Sequence, residues 1–293
     1  MAVSTTTVMG FIGTGVMGKS MASHIQAAGY PLHVYNRSKS KTDELVQKGA
    51  AWQPSPAEIA KHADVIITIV GFPNDVEEVY LGAEGLVKNA KRGAILIDMT
   101  TSKPDLAEKI HRTAKEKGIA VLDAPVSGGD RGAREAKLSI MVGGDRETFD
   151  AVKPMFDTMG SAVYQGPAGS GQKTKMANQI AIAAGMLGVC EAMAYCVKSG
   201  LDPKTVLQSI GGGAAGSWSL SNLAPRMIDG NFDPGFYVKH FIKDMRIAVD
   251  SSESVALEAP GLKLALELYE KLAAKGHEDL GTQSLYKLYV NGK

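Results

Sequence analysis

Cysteine is nearly absent from this chain of 293 residues: there are two, Cys190 and Cys196. Six positions apart on a predicted helix, they lie about 9 Å apart along its axis and off a common face, beyond bridging distance. That excludes a disulfide framework, and two core thiols fit a reducing, cytoplasmic setting. Neither sign of charge is in excess, since 32 basic side chains against 31 acidic ones leave a net charge of +1. Nothing in that balance draws the chain to nucleic acid or an anionic membrane surface. The expected partners are small molecules and further copies of itself, as a homodimer or homotetramer. Long apolar runs are missing too, as no stretch reads as the ~18 apolar residues that span a bilayer. Met1 to Thr7 is short and polar, without a charged-then-apolar leader pattern. The six histidines (His24, His33, His62, His111, His240, His277) show no ligand spacing, so no metal is expected. Repeats and low-complexity tracts are lacking as well.

What is present is an ordinary globular composition, 44% hydrophobic and 22% charged, on a chain long enough for about two domains. Val8–Ile12 reads as a short buried strand, and Gly13, Thr14, Gly15, Val16, Met17 and Gly18 turn it into a helix running through Ala28. In this G-x-G-x-x-G arrangement Gly13 permits a tight turn and Gly15 lets the backbone approach a pyrophosphate. Gly18 allows close helix–strand packing, with helix-terminal N–H groups facing the phosphates. Strand before and helix after raise a weak pattern to a dinucleotide-binding expectation. The second strand, Leu32–Tyr35, ends at Asn36, Arg37 and Ser38. NAD-preferring sites usually carry an acid there, about 20 residues after the glycines, to bond the ribose 2′-hydroxyl. An amide, a guanidinium and a hydroxyl suit a 2′-phosphate better, so NADP is expected ahead of NAD. Arg37 as a plain solvated loop residue stays open.

Strand and helix continue to alternate. Val65–Val70 is a β-branched run of the kind buried on both faces of a parallel sheet, and Val70, Gly71 and Phe72 fall on the carboxyl side, where ligands bind. Ala94–Asp98 is the next strand; Thr101 beyond it is either a helix cap or a ligand contact, with Pro104 opening a helix. Val121–Val126 leads into Ser127, Gly128 and Gly129, which read as a carboxylate cradle or as a plain glycine turn. Leu138–Val142 and Ala162–Gln165 look like strands flanking a helix over Arg146–Met159. After Gly166-Pro167 helical periodicity takes over. The expected architecture is α/β: a doubly wound, Rossmann-like dinucleotide-binding domain over 1–165, then an all-helical domain over 166–293 for substrate and self-association.

The second domain opens with the longest predicted helix, entered through Gly169-Ser170-Gly171. On it Asn178 and Gln179 share a face with Lys175, while Lys173 points elsewhere. That face goes on as Ile182 and Met186, so an ammonium at Lys175 stands at the polar end of an apolar stripe. Burial lowers a lysine pKa and can make the residue a proton donor and acceptor near neutrality. The other reading is a packed stem whose head reaches solvent.

Together these motifs resemble the β-hydroxyacid dehydrogenases, the family of 3-hydroxyisobutyrate dehydrogenase, tartronate semialdehyde reductase and related semialdehyde or glyoxylate reductases. The carriers are Gly10–Gly18, Asp98-Met99-Thr100-Thr101, Asp123–Gly129, Gly169-x-Gly171-x-x-x-Lys175-x-x-Asn178 and Lys243-Asp244, in the family's order over nearly the whole chain. The resemblance implies an oxidoreductase that passes a hydride between a nicotinamide cofactor and a small hydroxyacid or its oxo counterpart. By it, Lys175 is the catalytic acid–base, Ser127, Gly128 and Gly129 bind the substrate carboxylate, and Asn178 orients substrate. Thr101 and Lys243 contact cofactor. The 6-phosphogluconate dehydrogenases share the lysine motif but are longer and carry an acid seven residues beyond it. Ile182 stands there in this chain, which argues against a decarboxylating sugar-phosphate enzyme. Arg131 and Arg134 are either selectors of a second anionic group or exposed arginines. Two rival functions are a non-catalytic NADP-binding sensor, against which the retained Lys175 argues, and an imine reductase on the same scaffold.

Overall fold

The β-branched runs become strands because each can bury both faces. In a computed structural model, which describes residues 3–290, they form one sheet of nine strands. These are β1 (Met9–Ile12), β2 (Leu32–Tyr35), β3 (Ala51–Trp52), β4 (Val65–Thr68), β5 (Ile95–Asp98), β6 (Ala120–Asp123), β7 (Val126–Ser127), β8 (Leu138–Gly144) and β9 (Gly160–Gly166). The order is β3-β2-β1-β4-β5-β6-β8-β7, with β9 also on β8. β1 to β6 pair in parallel, β8 runs antiparallel to β6 and β7, and β9 is parallel to β8. Successive side chains of a strand point to opposite faces, and both faces are covered here. Phe11, Val65, Ile67, Ile97 and Leu122 enter one core, and Ile12, Ile66, Leu96 and Val121 the other. β3 is a two-residue edge strand that periodicity did not reveal.

Met1–Lys175 and Met176–Lys293 are two compact units. The sequence reading placed the boundary near 165. By compactness the two units meet inside the helix Ser170–Lys198, whose first turn is bonded to Asp123 of β6 and to the Thr100 carbonyl beyond β5. Beyond Lys175 the helix belongs to an all-helical unit, where Met176, Ala183, Met186, Cys190 and Met193 join Phe241, Met245, Leu262 and Tyr269 in one buried cluster. Its mean hydropathy reaches 1.9 over an 18-residue window, so by length and composition it is apolar enough to cross a membrane. This corrects the reading that no stretch is. The unbroken apolar run Ile180–Cys190 is only eleven residues long, but Glu191 is the one charged side chain between Ile180 and Val197, so the mean stays high without a run of 18.

Candidate active site

Gly13 ends β1 with φ at +98°, and a Cβ there would lie 2.1 Å from the Ile69 carbonyl oxygen. At Gly18 a Cβ would lie 1.9 Å from the Gly13 oxygen, so the turn and the helix Gly18–Ala27 close only over glycine. Gly15 differs, because nothing stands within 4 Å of a Cβ built there. Beside that open backbone the Thr14 hydroxyl is buried with no hydrogen-bond partner among the described residues. A cradle of bare backbone with an unsatisfied hydroxyl fits the pyrophosphate of a dinucleotide. Asn36 braces the cradle, its Oδ1 accepting from Thr14 N–H at 3.0 Å and its Nδ2 donating to the Ser38 carbonyl at 3.0 Å.

Arg37 lies exposed, its guanidinium 3.2 Å from Asp75 Oδ1. The other Asp75 oxygen accepts from Phe72 N–H at 3.0 Å, so one carboxylate joins the Asn36–Ser38 segment to the Val70–Phe72 loop. Val70 N–H in turn donates to Thr100 Oγ1 at 3.0 Å. The predicted cofactor contacts of this unit therefore line the carboxyl ends of β1, β2, β4 and β5 in one connected series. Thr101 does not cap the helix Pro104–Lys115; the cap position is Lys103, without a capping side-chain bond.

Buried carboxylates close β5 and β6, register partners at the strand ends. Asp98 Oδ1 accepts from Thr68 Oγ1 at 3.0 Å and from Thr100 N–H at 3.1 Å. Burial pushes its pKa up to about 6, against the hydrogen bonds from Thr100 and Thr68. Asp123 is likewise raised by burial to about 6, in spite of the backbone N–H groups of Gln172, Gly169 and Gly171. It accepts from Gly169 N–H and Gln172 N–H, both at 2.8 Å. A strand residue thus supplies the N-terminal cap of the lysine helix. Gln172 adds a second clamp, its amide donating to the Thr100 carbonyl at 2.7 Å and accepting from Ser102 N–H at 2.9 Å. Neither role was read from the sequence, since a cap 46 residues away leaves no local pattern.

One turn past that clamp Lys175 is 6% exposed, and its Nζ donates to the Val126 carbonyl at 2.9 Å. Burial of the head removes the solvent-reaching reading. Lys173 is exposed and paired with Glu108 at 2.8 Å. Ser127, next to Val126, is not in a loop but in β7, paired with Ser139 of β8. Gly128, at φ +128°, caps the helix Gly129–Arg134. Arg131 and Arg134 pair along that helix with Glu135 and Asp130.

In the helical unit Asn178 Nδ2 donates to Gln179 Oε1 at 2.7 Å, and Gln179 Nε2 donates to Asp244 Oδ2 at 2.7 Å. Lys243 Nζ lies 2.7 Å from Asp244 Oδ1, an ion pair without the alignment of a hydrogen bond. Gln179 and Asp244 are buried, at 0% and 2% exposure, although the sequence singled out only their neighbours Asn178 and Lys243 for roles. No group of three or more metal-capable side chains occurs among the described residues.

Comparison with known proteins adds the family. Residues 8–166 match the NAD binding domain of 6-phosphogluconate dehydrogenase. Residues 169–289 match the NAD-binding domain of NADP-dependent 3-hydroxyisobutyrate dehydrogenase. The uncharacterized oxidoreductase YkwC of Bacillus subtilis (strain 168) is 65% identical over 96% of this chain and 98% of its own length. The 2-hydroxy-3-oxopropionate reductase of Escherichia coli (strain K12) is 38% identical over 94% of this chain and 95% of its own. This chain belongs to the β-hydroxyacid dehydrogenases. A solved member, Mycobacterium tuberculosis 3-hydroxyisobutyrate dehydrogenase with L-serine, has a TM-score of 0.89 at 28% identity, covering 97% of this chain and 99% of that one. The protein is accordingly an NAD(P)-dependent oxidoreductase acting on a CH–OH group, as the sequence motifs implied.

Proposed function

We propose that this β-hydroxyacid dehydrogenase prefers NADP(H) and acts on a short three- or four-carbon acid, 3-hydroxyisobutyrate, 2-hydroxy-3-oxopropionate or a close analogue, with Lys175 as its acid–base. The observation that carries the reading is the buried Lys175, held by its Nζ on the Val126 carbonyl at 2.9 Å. An amine donates that bond whether or not it carries the extra proton. Lys175 can therefore take the hydroxyl proton in oxidation and return it in reduction without losing its anchor. The nicotinamide, when bound, supplies or accepts the hydride.

Ser127 and the backbone around Gly128 and Gly129 hold the substrate carboxylate, and Asn178, one turn beyond Lys175, orients the substrate. Thr14, Gly15, Val16 and Met17 face the pyrophosphate, Arg37 the 2′-phosphate, and Thr101 and Lys243 the remainder of the cofactor. Support for the substrate class comes from the E. coli relative named for 2-hydroxy-3-oxopropionate. Support for NADP comes from the exposed Arg37, held only by a surface ion pair that a dianionic phosphate can displace. The test is a panel of short hydroxyacids and semialdehydes with both cofactors, followed by nicotinamide absorbance, on the parent enzyme and Arg37→Ala. The expected result is turnover of an acid from this class and a Michaelis constant for NADP(H) raised about tenfold or more in the variant, with NAD(H) almost unaffected. An unchanged cofactor preference refutes the Arg37 assignment, and inactivity across the panel refutes the substrate class.

A further inference from the structure

Asn178, Gln179, Asp244 and Lys243 form a polar chain whose direction is set at one end. A carboxylate has only acceptors and an ammonium only donors. Because Asp244 accepts, the half of the Gln179 amide facing it at 2.7 Å must be Nε2. That leaves Oε1 for Asn178, so the half of the Asn178 amide facing Gln179 at 2.7 Å must be Nδ2. Neither amide can turn over without setting like against like. Consecutive residues on a helix point about 100° apart, and the 2.7 Å bond ties the Asn178 amide to Gln179 across that angle. The half-buried Asn178 is left with Oδ1 turned from Gln179, and no described residue bonds that oxygen.

We propose that Gln179 is a positioning residue whose orientation, dictated by Asp244, presents Asn178 Oδ1 to the substrate as a hydrogen-bond acceptor for a hydroxyl or ammonium group. The proposal rests on the reading that Asn178 meets the substrate. It adds a substrate feature: the group received there carries a hydrogen to give, which a carboxylate, a bare carbonyl or a methyl lacks.

The test reverses the chain. Asn178→Asp places a carboxylate against Gln179 Oε1, acceptor against acceptor, and the amide cannot turn because Asp244 waits on its other side. Adding Asp244→Asn lets every bond run the other way, while an oxygen at position 178 still faces the substrate. Steady-state kinetics at saturating cofactor and thermal midpoints without ligand are compared for the parent, both single variants and the double variant. For Asn178→Asp the expected loss in kcat/KM is about 10–100-fold, the scale of a lost hydrogen bond to a charged group. The double variant should recover at least tenfold over Asn178→Asp and regain most of the lost midpoint. A double variant no better than the product of the singles overturns the proposal, since an Asn178 acting through its N–H could not be replaced by a carboxylate. If the variants at 244 fail to fold, Gln179→Leu decides: KM for the acid should rise about tenfold with cofactor affinity unchanged, and an unchanged KM overturns the proposal. Asn178→Ala separates the two levels of argument. Unaltered kinetics there remove Asn178 from the substrate site and take both readings down, whereas an impaired Asn178→Ala with no rescue in the double variant sinks the polarity argument alone.

Discussion

Removing the Lys175 ammonium tests the chemistry most directly, and the structure says what else the change does. Lys175→Ala deletes three buried methylenes, worth about 0.8 kcal/mol each, and takes from the Val126 carbonyl its bond at 2.9 Å. The sum is on the order of 3 kcal/mol, so the variant should melt several degrees lower and be assayed well below its midpoint. Lys175→Met keeps most of the stem and isolates the loss of the amine. Both should lose about 10²–10⁴-fold in kcat, the usual contribution of a positioned acid–base group. Lys175→Arg should do little better, since a guanidinium with pKa above about 12 does not cycle its proton near neutrality. Cofactor affinity, measured by quenching of intrinsic fluorescence, should survive in all three. Lys173→Ala is the control: it is exposed and paired with Glu108, and its removal should leave turnover within about twofold, as surface pairs contribute little. A folded, cofactor-binding Lys175→Met enzyme with near-parental turnover would refute the mechanism, and so would a Lys173 variant that is the inactive one.

Two further tests follow from the glycine turn and the buried acids. Gly15→Ala meets nothing within 4 Å, so it should keep the parental melting temperature while binding NADP(H) about tenfold or more weakly. Gly18→Ala would place its methyl 1.9 Å from the Gly13 oxygen and should melt well below the parent; equal midpoints for the two variants would contradict the roles assigned to these glycines. Asp98 rises from 3.8 to about 6 on burial, so it holds its proton more tightly in the native state. Its contribution is full below about 3.8 and is lost as pH climbs through about 6. Asp98→Asn stays neutral, and its Oδ1 can take both existing bonds. Relative to the parent it should therefore gain stability between about pH 4 and 6, by on the order of 3 kcal/mol at most. A stability difference that does not vary with pH rules this out.

Much of this was legible in the residues because the signals are local. The β-branched runs announced β4 and β5, the glycine spacing announced the cradle, and Lys175 stood out by its place on an apolar stripe. What stayed hidden depends on partners far along the chain. The roles of Asp123 and Gln172 in holding the lysine helix are long-range hydrogen bonds that no window of sequence contains. The two-residue β3 exists because β2 offers an edge, and Ala51-Trp52 has no strand pattern of its own. Gln179 was noticed only as a neighbour of Lys175, because its partner Asp244 lies 65 positions away. The helix Ser170–Lys198 was recognised, but its average apolarity was underestimated by counting runs.

The anchoring of that helix bears on how a newly made chain acquires activity. Asp123, the Thr100 carbonyl, Ser102 N–H and the Val126 carbonyl all precede Gly169. During N-to-C synthesis the sockets for Lys175 are therefore made before the lysine itself. Its first turn can be held only after β5 and β6 have aligned, across a loop whose closure entropy grows slowly with length. A chain interrupted before Gly169 has the sockets but no lysine to place in them. Every strand ends before Lys175, so chemical competence follows the last strand instead of arriving with it.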